Sequence, residues 1–331
     1  MESINLGGTE LKSSRIGLGT WAIGGWMWGG TDEVQAIATV RTALDLGINL
    51  IDTAPVYGFG VSESIVGKAL DRDGLRSKAL IATKAGLEWS TGRPRRDSRP
   101  RRLRQELEDS LRRLRTDYID LYQIHWPDPL VPIELVAAEV LRMLRDGKIL
   151  AVGVSNFSPM QMEAFRAVVP LHTVQPPYNL FERGIDADVL PYARDSGLTV
   201  LAYGALCRGL LSGRITPATQ FEGDDLRRSD PKFADARLRA RYLRAVQALD
   251  DLARRRFGRD VLSLAVRWVL DRGPTVALWG ARRPDQLDAV SGALGWTLDE
   301  PAMREIDDIL RREVTEPVGP EFMAPPERAA A

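Results

Sequence analysis

The sequence predicts an α/β fold of the (β/α)8 TIM-barrel class. Short β-rich runs alternate with amphipathic stretches, the alternation repeats eight times, and no composition break or Pro/Gly/Ser linker interrupts it. Eight such units favour a closed barrel over a doubly wound sheet. With 331 residues, of which 44% are hydrophobic, the chain can bury one large core. We therefore expect a single domain over residues 1–331.

The barrel elements are predicted in order from these periodicities. The predicted strands are 15–20, 49–53, 79–83, 118–123, 150–154, 173–175, 199–202 and 275–278. The predicted helices are 32–46, 62–70, 99–114, 133–145, 159–168, 188–196, 261–271 and 284–293.

Several segments fall outside the eightfold pattern. Residues 4–11 contain a Gly-Gly turn and predict a β-hairpin that plugs the N-terminal mouth of the barrel. The polar segment 221–236 makes the seventh βα connection long, and a long connection on the catalytic face is a candidate lid. Helical runs at 238–257 and 303–312 predict two extra helices, and the Pro-rich tail 314–331 predicts a loosely ordered end without chemistry.

Composition favours a small-molecule partner. The 45 basic and 45 acidic residues balance, which argues against nucleic-acid or membrane binding. The single Cys207, the lack of an export signal and the lack of a long apolar span predict a cytoplasmic protein. No metal-ligand spacing occurs. The seven arginines within 93–104 are interpreted as a solvated loop and helix start, with a local anion site as the alternative. The sequence does not predict the oligomeric state.

Polar side chains at strand exits indicate the catalytic site. In a (β/α)8 barrel, chemistry lies at the carboxyl ends of the strands. Four residues occupy or follow exits two, three and four: Asp52, Tyr57, Lys84 and His125. Each alone has a structural interpretation, as a turn cap, a solvated charge or a satisfied buried histidine. Their joint placement is what favours a catalytic site.

The four residue types suit proton transfer to a carbonyl. The Lys84 ammonium is expected to favour the Tyr57 phenolate and lower its pKa, while Asp52 fixes Lys84. His125 is expected to orient a substrate carbonyl toward the phenol. This arrangement predicts carbonyl reduction. A Schiff-base lyase using Lys84 is a rival, disfavoured because the lysine should stay charged beside Asp52.

Loop tryptophans predict an aromatic-walled substrate pocket. They follow strands one, three and four in Gly-rich loops, where packing in a helix or core is not expected. The residues are Trp21, Trp26, Trp28, Trp89 and Trp126. Such walls suit aromatic or α-dicarbonyl compounds and also stack on sugars, so a small carbonyl or sugar substrate is expected and its identity stays open.

These residues make the sequence similar to the aldo-keto reductase superfamily over nearly its whole length. The runs 17–21, 153–157 and 203–206 resemble family motifs, and the strand-exit residues match the family's Asp, Tyr, Lys and His tetrad. The resemblance implies a (β/α)8 barrel that binds an extended nicotinamide dinucleotide without a Rossmann domain. It points to the subgroup of bacterial broad-range reductases and sugar dehydrogenases.

The resemblance also implies the cofactor contacts. Ser155, Asn156 and Gln175 match residues that bind the carboxamide, and Tyr203 matches the aromatic residue that stacks on the nicotinamide ring. The contacts in the first loop and at the neighbouring strand exit are Gly19, Thr20, Trp21 and Asp52. Those in the pyrophosphate loop, where Arg208 adds charge, are Gly204, Leu206, Arg208, Gly209, Leu211 and Gly213. Those at the adenosine 2′-phosphate site are Gly280, Ala281, Arg282 and Gln286.

The last group favours NADPH over NADH. Arg282 is the expected partner of the 2′-phosphate, with a helix N-terminus assisting it. Gln286 stands where many members carry an Arg, and Ala289-Val290 replace a Glu-Asn pair, so NADH stays a second candidate.

The predicted function is reversible, NADPH-dependent reduction of an aldehyde or ketone, with the proton supplied by Tyr57. The alternative is a nucleotide-binding regulatory subunit of the potassium-channel β type, which shares the barrel. That alternative is disfavoured because the sequence begins at the hairpin, with no docking arm ahead of it.

Overall fold

The computed structural model describes residues 1–72, 74–90 and 92–328. Its strands, in chain order, are β1 (Ser3–Asn5), β2 (Lys12–Ser14), β3 (Ile16–Gly19), β4 (Leu50–Asp52), β5 (Leu80–Ala85), β6 (Leu87–Glu88), β7 (Arg95–Arg96), β8 (Ile119–Ile124), β9 (Ile149–Ser155), β10 (Thr173–Gln175), β11 (Thr199–Ala202) and β12 (Thr275–Gly280). Eight of them, β3, β4, β5 and β8 to β12, form a closed parallel barrel in sequence order, which confirms the predicted fold. The carboxyl ends of these strands therefore meet at one face.

The helices surround the barrel. They are α1 (Glu33–Asp45), α2 (Val61–Leu70), α3 (Pro100–Leu114), α4 (Ile133–Arg145), α5 (Pro159–Arg166), α6 (Val189–Asp195), α7 (Pro231–Ala234), α8 (Ala236–Phe257), α9 (Val261–Leu270) and α10 (Glu300–Glu313). The two extra helices predicted at 238–257 and 303–312 are α8 and α10. Among the described residues, no helix is both long and apolar enough to cross a membrane.

Helix α4 illustrates how these helices pack. Val136, Val140 and Met143 recur at the helical period and are buried against the barrel, whereas Leu135 lies on the outer face and is exposed. Each such side chain stabilises the fold by about 1.5–3 kcal/mol relative to an exposed position.

The predicted eighth helix, 284–293, is wrong. Two short 3-10 turns, Pro284–Leu287 and Val290–Ala293, replace it. The Gln286 carbonyl accepts the Trp279 indole N–H at 3.0 Å, and its side chain turns back to the preceding loop. A Cβ at Gly292 would lie 2.5 Å from Ser263 Oγ, so the second turn runs too close to α9 for an ordinary side chain. These tertiary contacts prevent the continuous helix that the spacing of the apolar residues predicts.

The N-terminal hairpin plugs the base of the barrel, as predicted. Strands β1 and β2 pair antiparallel, and the connecting turn inserts the fully buried Leu6 among inward-facing residues of the barrel strands, including Leu50, Leu121 and Leu201. The Gly7 N–H donates to Thr199 Oγ1 at 3.0 Å. A Cβ at Gly7, whose φ is +30°, would lie 1.9 Å from the His172 carbonyl oxygen, so only glycine fits there.

The C-terminal tail, for which the sequence predicts a loosely ordered end, makes specific contacts. The Val318 N–H donates to the Tyr242 hydroxyl at 3.0 Å. Farther along, the Arg96 side chain donates to the Pro325 carbonyl at 3.0 Å, and its backbone N–H donates to the Pro326 carbonyl at 3.1 Å. The tail thus reaches the hairpin β6–β7 at the catalytic face. Residues 329–331 of the predicted tail lie outside the described part of the chain.

Candidate active site

The four predicted catalytic residues converge at the carboxyl ends of three neighbouring strands. Asp52 ends β4, Lys84 lies in β5 and His125 follows β8. Lys84 Nζ lies 2.7 Å from Asp52 Oδ1 and 3.3 Å from the Tyr57 hydroxyl oxygen. The Tyr57 and His125 rings pack edge to face, with their centroids 5.9 Å apart. One small region therefore holds a phenol, an ammonium, a carboxylate and an imidazole.

The turn after β4 presents Tyr57 to this region. Its backbone N–H donates to the Ala54 carbonyl at 3.1 Å, which closes the turn. Gly24, in the loop after β3, runs against the Tyr57 backbone so closely that a Cβ there would lie 2.5 Å from the Tyr57 carbonyl carbon. The phenol is thus held between two loops.

The Asp52 carboxylate anchors the site through two more strands. Gln175 Nε2 donates to Asp52 Oδ2 at 2.8 Å, and Gln123 Nε2 approaches the same oxygen at 3.4 Å. Lys84 Nζ also donates to the Thr53 carbonyl at 2.9 Å. Sequence reasoning missed Gln123 as a site residue, although a polar residue in the buried strand β8 was the available signal.

Burial sets the protonation of the site. It raises the pKa of Tyr57 well above its usual value, and the Asp52 carboxylate adds to this. It lowers the pKa of His125 well below its usual value, assisted by the Lys84 charge. It also lowers the pKa of Lys84, against the opposing effect of Asp52. The expected lowering of the Tyr57 pKa is therefore wrong here, because desolvation and the Asp52 carboxylate both disfavour the phenolate.

Residues predicted to bind the nicotinamide carboxamide lie together at the next two exits. Asn156 has a left-handed backbone, with φ at +62°; its side-chain amide donates to the His125 carbonyl and its oxygen accepts the Tyr203 hydroxyl, both at 3.0 Å. Ser155 Oγ donates to the Gln175 carbonyl at 2.7 Å. Amides and hydroxyls beside a partly exposed phenol ring are the chemical types that bind a planar carboxamide, and a bound carboxamide would replace some of the bonds that they make to one another here. The residues present therefore fit this group.

The predicted pyrophosphate loop needs one correction. It contains a 3-10 segment, Cys207–Ser212, with positive φ at Cys207, Arg208 and Gly209. Buried Arg208 bonds to Asp230 Oδ2 at 2.6 Å and also pairs with Glu182. Its charge is therefore neutralised inside the protein, so the structure does not support a role for this side chain at the pyrophosphate.

The other members of that loop divide into core and backbone positions. Leu211 is fully buried in the core and Leu206 packs against it. Gly204, Gly209 and Gly213 have φ values of +67°, +92° and +71°, which bring the bare backbone to the surface of the loop. The Arg208 charge is not available to an anion here, and the backbone N–H groups of Cys207, Gly209 and Leu211 already donate to carbonyls of the same loop.

The eighth exit carries Gly280, Ala281, Arg282 and Gln286, as predicted. Gln286 Oε1 accepts the backbone N–H groups of Arg282 at 2.8 Å and Arg283 at 3.1 Å, so this side chain holds the loop together. Arg282 Nη1 donates to the Trp28 carbonyl at 2.6 Å. The prediction that a helix N-terminus assists Arg282 is wrong, because a four-residue 3-10 turn lies at this position.

The candidate lid contacts the loop after β3. Asp224 accepts the backbone N–H groups of Met27 at 2.8 Å and Gly29 at 3.0 Å, and the Leu226 N–H donates to the Met27 carbonyl at 3.0 Å. The Arg227 guanidinium lies 5.2 Å from the Trp28 ring centroid. Since β11, β12 and β3 are neighbours, these bonds join the seventh connection to the first loop across the eighth exit.

The tryptophans form an aromatic wall around Tyr57, as expected. Trp21 stacks on Tyr57 with a centroid distance of 6.0 Å and meets Trp28 edge to face at 5.5 Å. Trp26, Trp89 and Trp126 pack with Tyr57 in one apolar cluster. Phe59 joins Trp26 at 4.9 Å and Trp89 at 6.0 Å. Sequence reasoning missed Phe59, although it lies two residues from Tyr57. Within the described chain, the buried Trp28 indole N–H lacks a hydrogen-bond partner, which leaves a donor for a bound polar group.

The aldo/keto reductase family model matches residues 15–311, and the chain belongs to that family. The protein is therefore an oxidoreductase of the carbonyl-reducing kind. Such enzymes act on small-molecule carbonyl compounds with nicotinamide cofactors.

Individual relatives are similar over almost the whole chain. The aldo-keto reductase YhdN of Bacillus subtilis is 58% identical over 99% of this chain and 99% of its own length. The NADH-specific methylglyoxal reductase of Escherichia coli is 34% identical over 94% of this chain and 100% of its own length. The solved structure of the glycerol dehydrogenase AKR11B4 from Gluconobacter oxydans superposes with a TM-score of 0.88 and 54% identity, covering 97% of this chain and 99% of that chain. These relatives do not favour the regulatory-subunit alternative.

Proposed function

We propose that the protein reduces a small aldehyde or ketone with NADPH, reversibly, and that Tyr57 donates the proton. The observation that carries the proposal is the buried group around Tyr57, whose hydroxyl lies 3.3 Å from the Lys84 ammonium inside the aromatic wall. The bound nicotinamide would supply the hydride.

The side chains have distinct roles in this proposal. A neutral His125 donates a hydrogen bond to the substrate carbonyl and orients it. Tyr57 holds its proton until negative charge develops on that oxygen, then transfers it. Lys84 stabilises the phenolate that results, because its ammonium lies at hydrogen-bond distance. Asp52 keeps Lys84 charged in a buried setting.

The cofactor preference rests on Arg282. Its guanidinium lies beside the first loop and can offer its remaining N–H groups to a 2′-phosphate. The Escherichia coli relative is named as NADH-specific, so family membership alone does not decide the preference. We propose NADPH, to be compared directly with NADH.

The substrate class follows from the wall and the relatives. The aromatic wall favours a small or flat compound, and two relatives are named for methylglyoxal and glycerol. We propose α-oxo aldehydes and short polyol-derived carbonyl compounds as the first substrates to test.

The test measures oxidation of NADPH and of NADH across a panel of such carbonyl compounds. Tyr57→Phe is expected to lower kcat by about 10²–10⁴-fold, since it removes the proton donor. It should leave NADPH affinity nearly unchanged, because the phenol makes none of the proposed cofactor contacts. Tyr192→Phe is the matched control, since the Tyr192 hydroxyl bonds Glu163 at the surface. Near-normal turnover by Tyr57→Phe would refute the assignment, and NADPH binding without turnover of any carbonyl would favour the regulatory alternative.

A further inference from the structure

A pair of side chains on helix α3 holds the strand exit that carries Lys84. Glu106 Oε2 accepts the backbone N–H of Gly86 at 2.8 Å, two residues after Lys84. Arg102, one helical turn earlier, donates from Nη2 to the Leu87 carbonyl at 3.1 Å and lies 3.3 Å from Glu106 Oε1. Consecutive residues of one strand exit are therefore fixed from a single helix.

The chain turns sharply at this point. Gly86 has a φ of +97°, and a Cβ there would lie 2.7 Å from Ser98 Oγ. Its carbonyl accepts the Asp97 N–H at 2.9 Å. Beyond the turn, β6 and β7 form the hairpin whose connection begins at Trp89. The direction of the hairpin thus depends on the bonds made at residues 86 and 87.

Arg102 also contacts the substrate wall. Its guanidinium carbon lies 5.3 Å from the Trp89 ring centroid, within the range of a cation–π interaction. Trp89 also packs on Phe59, with ring centroids 6.0 Å apart, and belongs to the apolar cluster of Tyr57. A continuous path of contacts therefore runs from α3 through Trp89 to the catalytic phenol.

The proposed function leaves these two side chains without a role. Glu106 is only 2% exposed. Arg102 and Glu63 are ionisable residues close enough to influence its pKa. Burying a carboxyl group is unfavourable unless its bonds compensate. The polar contacts of this pair point at the hairpin and its strand exit, which indicates a role in placing that segment.

We propose that Arg102 and Glu106 are positioning residues, which set the substrate-binding wall at Trp89 relative to the catalytic strand exit and so determine substrate affinity. This inference rests on the proposed carbonyl reduction. The pair acts through Trp89 and the backbone at 86 and 87, and contacts neither substrate nor cofactor.

The test separates substrate KM from kcat in the intact protein. Arg102→Met removes the bond to Leu87 and the cation over Trp89, and is expected to raise carbonyl KM by roughly tenfold while kcat and the KM for NADPH change by less than about twofold. Arg102 is partly exposed, so the variant should fold. Arg104→Met is the matched control: Arg104 lies on the same helix and also pairs with a buried glutamate, Glu139, but on α4. Arg104→Met should leave the carbonyl KM, kcat and the KM for NADPH unchanged.

Glu106 supplies the conservative rescue. Glu106→Gln keeps an acceptor for the Gly86 N–H and should retain substrate KM near that of the wild type, whereas Glu106→Leu should raise it as Arg102→Met does. If Glu106→Leu does not fold, the comparison of Arg102→Met with Arg104→Met tests the proposal by itself. Equal effects of Arg102→Met and Arg104→Met, or a fall in kcat at constant KM, would overturn the proposal. Tyr57→Phe distinguishes this failure from failure of the proposed function. An active Tyr57→Phe variant refutes only the assignment of the proton donor, whereas a wild type that reduces no carbonyl refutes both proposals.

Discussion

Tyr57 depends on its neighbours for its chemistry. Burial raises the pKa of the Tyr57 hydroxyl, and in the proposed mechanism Lys84 stabilises the phenolate that forms when the proton is transferred. Lys84 in turn depends on Asp52, because an ammonium that is fully buried needs a counter-charge. At the scale of residues, the protonation of each group in the site therefore depends on the charge of its neighbour.

Asp52→Asn is expected to break this dependence. It leaves Lys84 buried without its counter-charge, so the free energy of unfolding should fall by about 3–5 kcal/mol. Turnover should fall as well, since Lys84 would then be more easily deprotonated. Urea denaturation and NADPH oxidation measure the two effects.

The control is an exposed ion pair with the same nitrogen–oxygen distance. Lys68 Nζ and Glu33 Oε1 also lie 2.7 Å apart, but both side chains are exposed to solvent. Glu33→Gln should change the free energy of unfolding by less than about 1 kcal/mol. A comparable loss in both variants would mean that burial does not govern the Asp52 pair.

At the scale of elements, hydrogen bonds join loops from distant parts of the chain at the catalytic face. The seventh connection bonds to the first loop through Asp224 and Leu226, and Arg282 reaches the same loop from the eighth exit. Sequence reasoning predicted a long polar connection, but nothing in its composition indicated the loop that it contacts.

Asp224→Ala tests whether this connection acts as a lid. Without the carboxylate, amide hydrogen exchange at Met27 and Gly29 should accelerate roughly 5- to 30-fold, corresponding to about 1–2 kcal/mol of local stability. In the wild type, NADPH should increase protection over 26–30 and 221–228. Hydrogen exchange with and without NADPH measures both effects.

Asp285→Ala provides the comparison, because Asp285 is an exposed carboxylate at the neighbouring exit that pairs only with Arg283 among its described partners. It should leave the exchange of residues 26–30 unchanged. Protection that NADPH does not alter in the wild type would count against closure of the segment.

At the scale of the whole molecule, one buried carboxyl group couples stability to pH. Burial raises the pKa of Glu106 to about 8, although Arg102 and the Gly86 N–H lower it, and Glu63 adds a smaller increase. Tyr122, from β8, belongs to the same buried environment, and its pKa is raised by burial and by Glu106. Arg113 pairs with Glu63 beside them.

This pKa predicts that stability decreases with rising pH. The folded protein retains a proton that the unfolded chain releases above its ordinary value of about 4.5. The stabilising contribution of Glu106 is therefore fully present below that value and is lost as pH rises through about 8. The decline due to Glu106 is the difference between the urea-denaturation profiles of the wild type and Glu106→Gln from pH 5 to 9. The lowered pKa values of His125 and His172 make stability rise with pH below about 6.5 in both proteins, so this effect cancels in the comparison. Identical pH profiles for the two proteins would contradict the prediction.

The fold was largely predictable because local periodicity specifies it. The β-rich runs and helical periods predicted all eight barrel strands, and the order of exits then brought Asp52, Lys84 and His125 together. The exception at 284–293 arose where contacts of Gln286 and Gly292 with other segments overrode an apolar period.

The sequence by itself determined the barrel, and it predicted the four residues that are proposed for catalysis and the tryptophans that lie around Tyr57. Those features depend on short-range patterns and on strand order. Only the tertiary structure decided the upward shift of the Tyr57 pKa, the internal pairing of Arg208, the hydrogen bond between Gln175 and Asp52, and the contacts of α3 with the Trp89 hairpin. These depend on desolvation and on contacts between residues far apart in the chain, which no local pattern records.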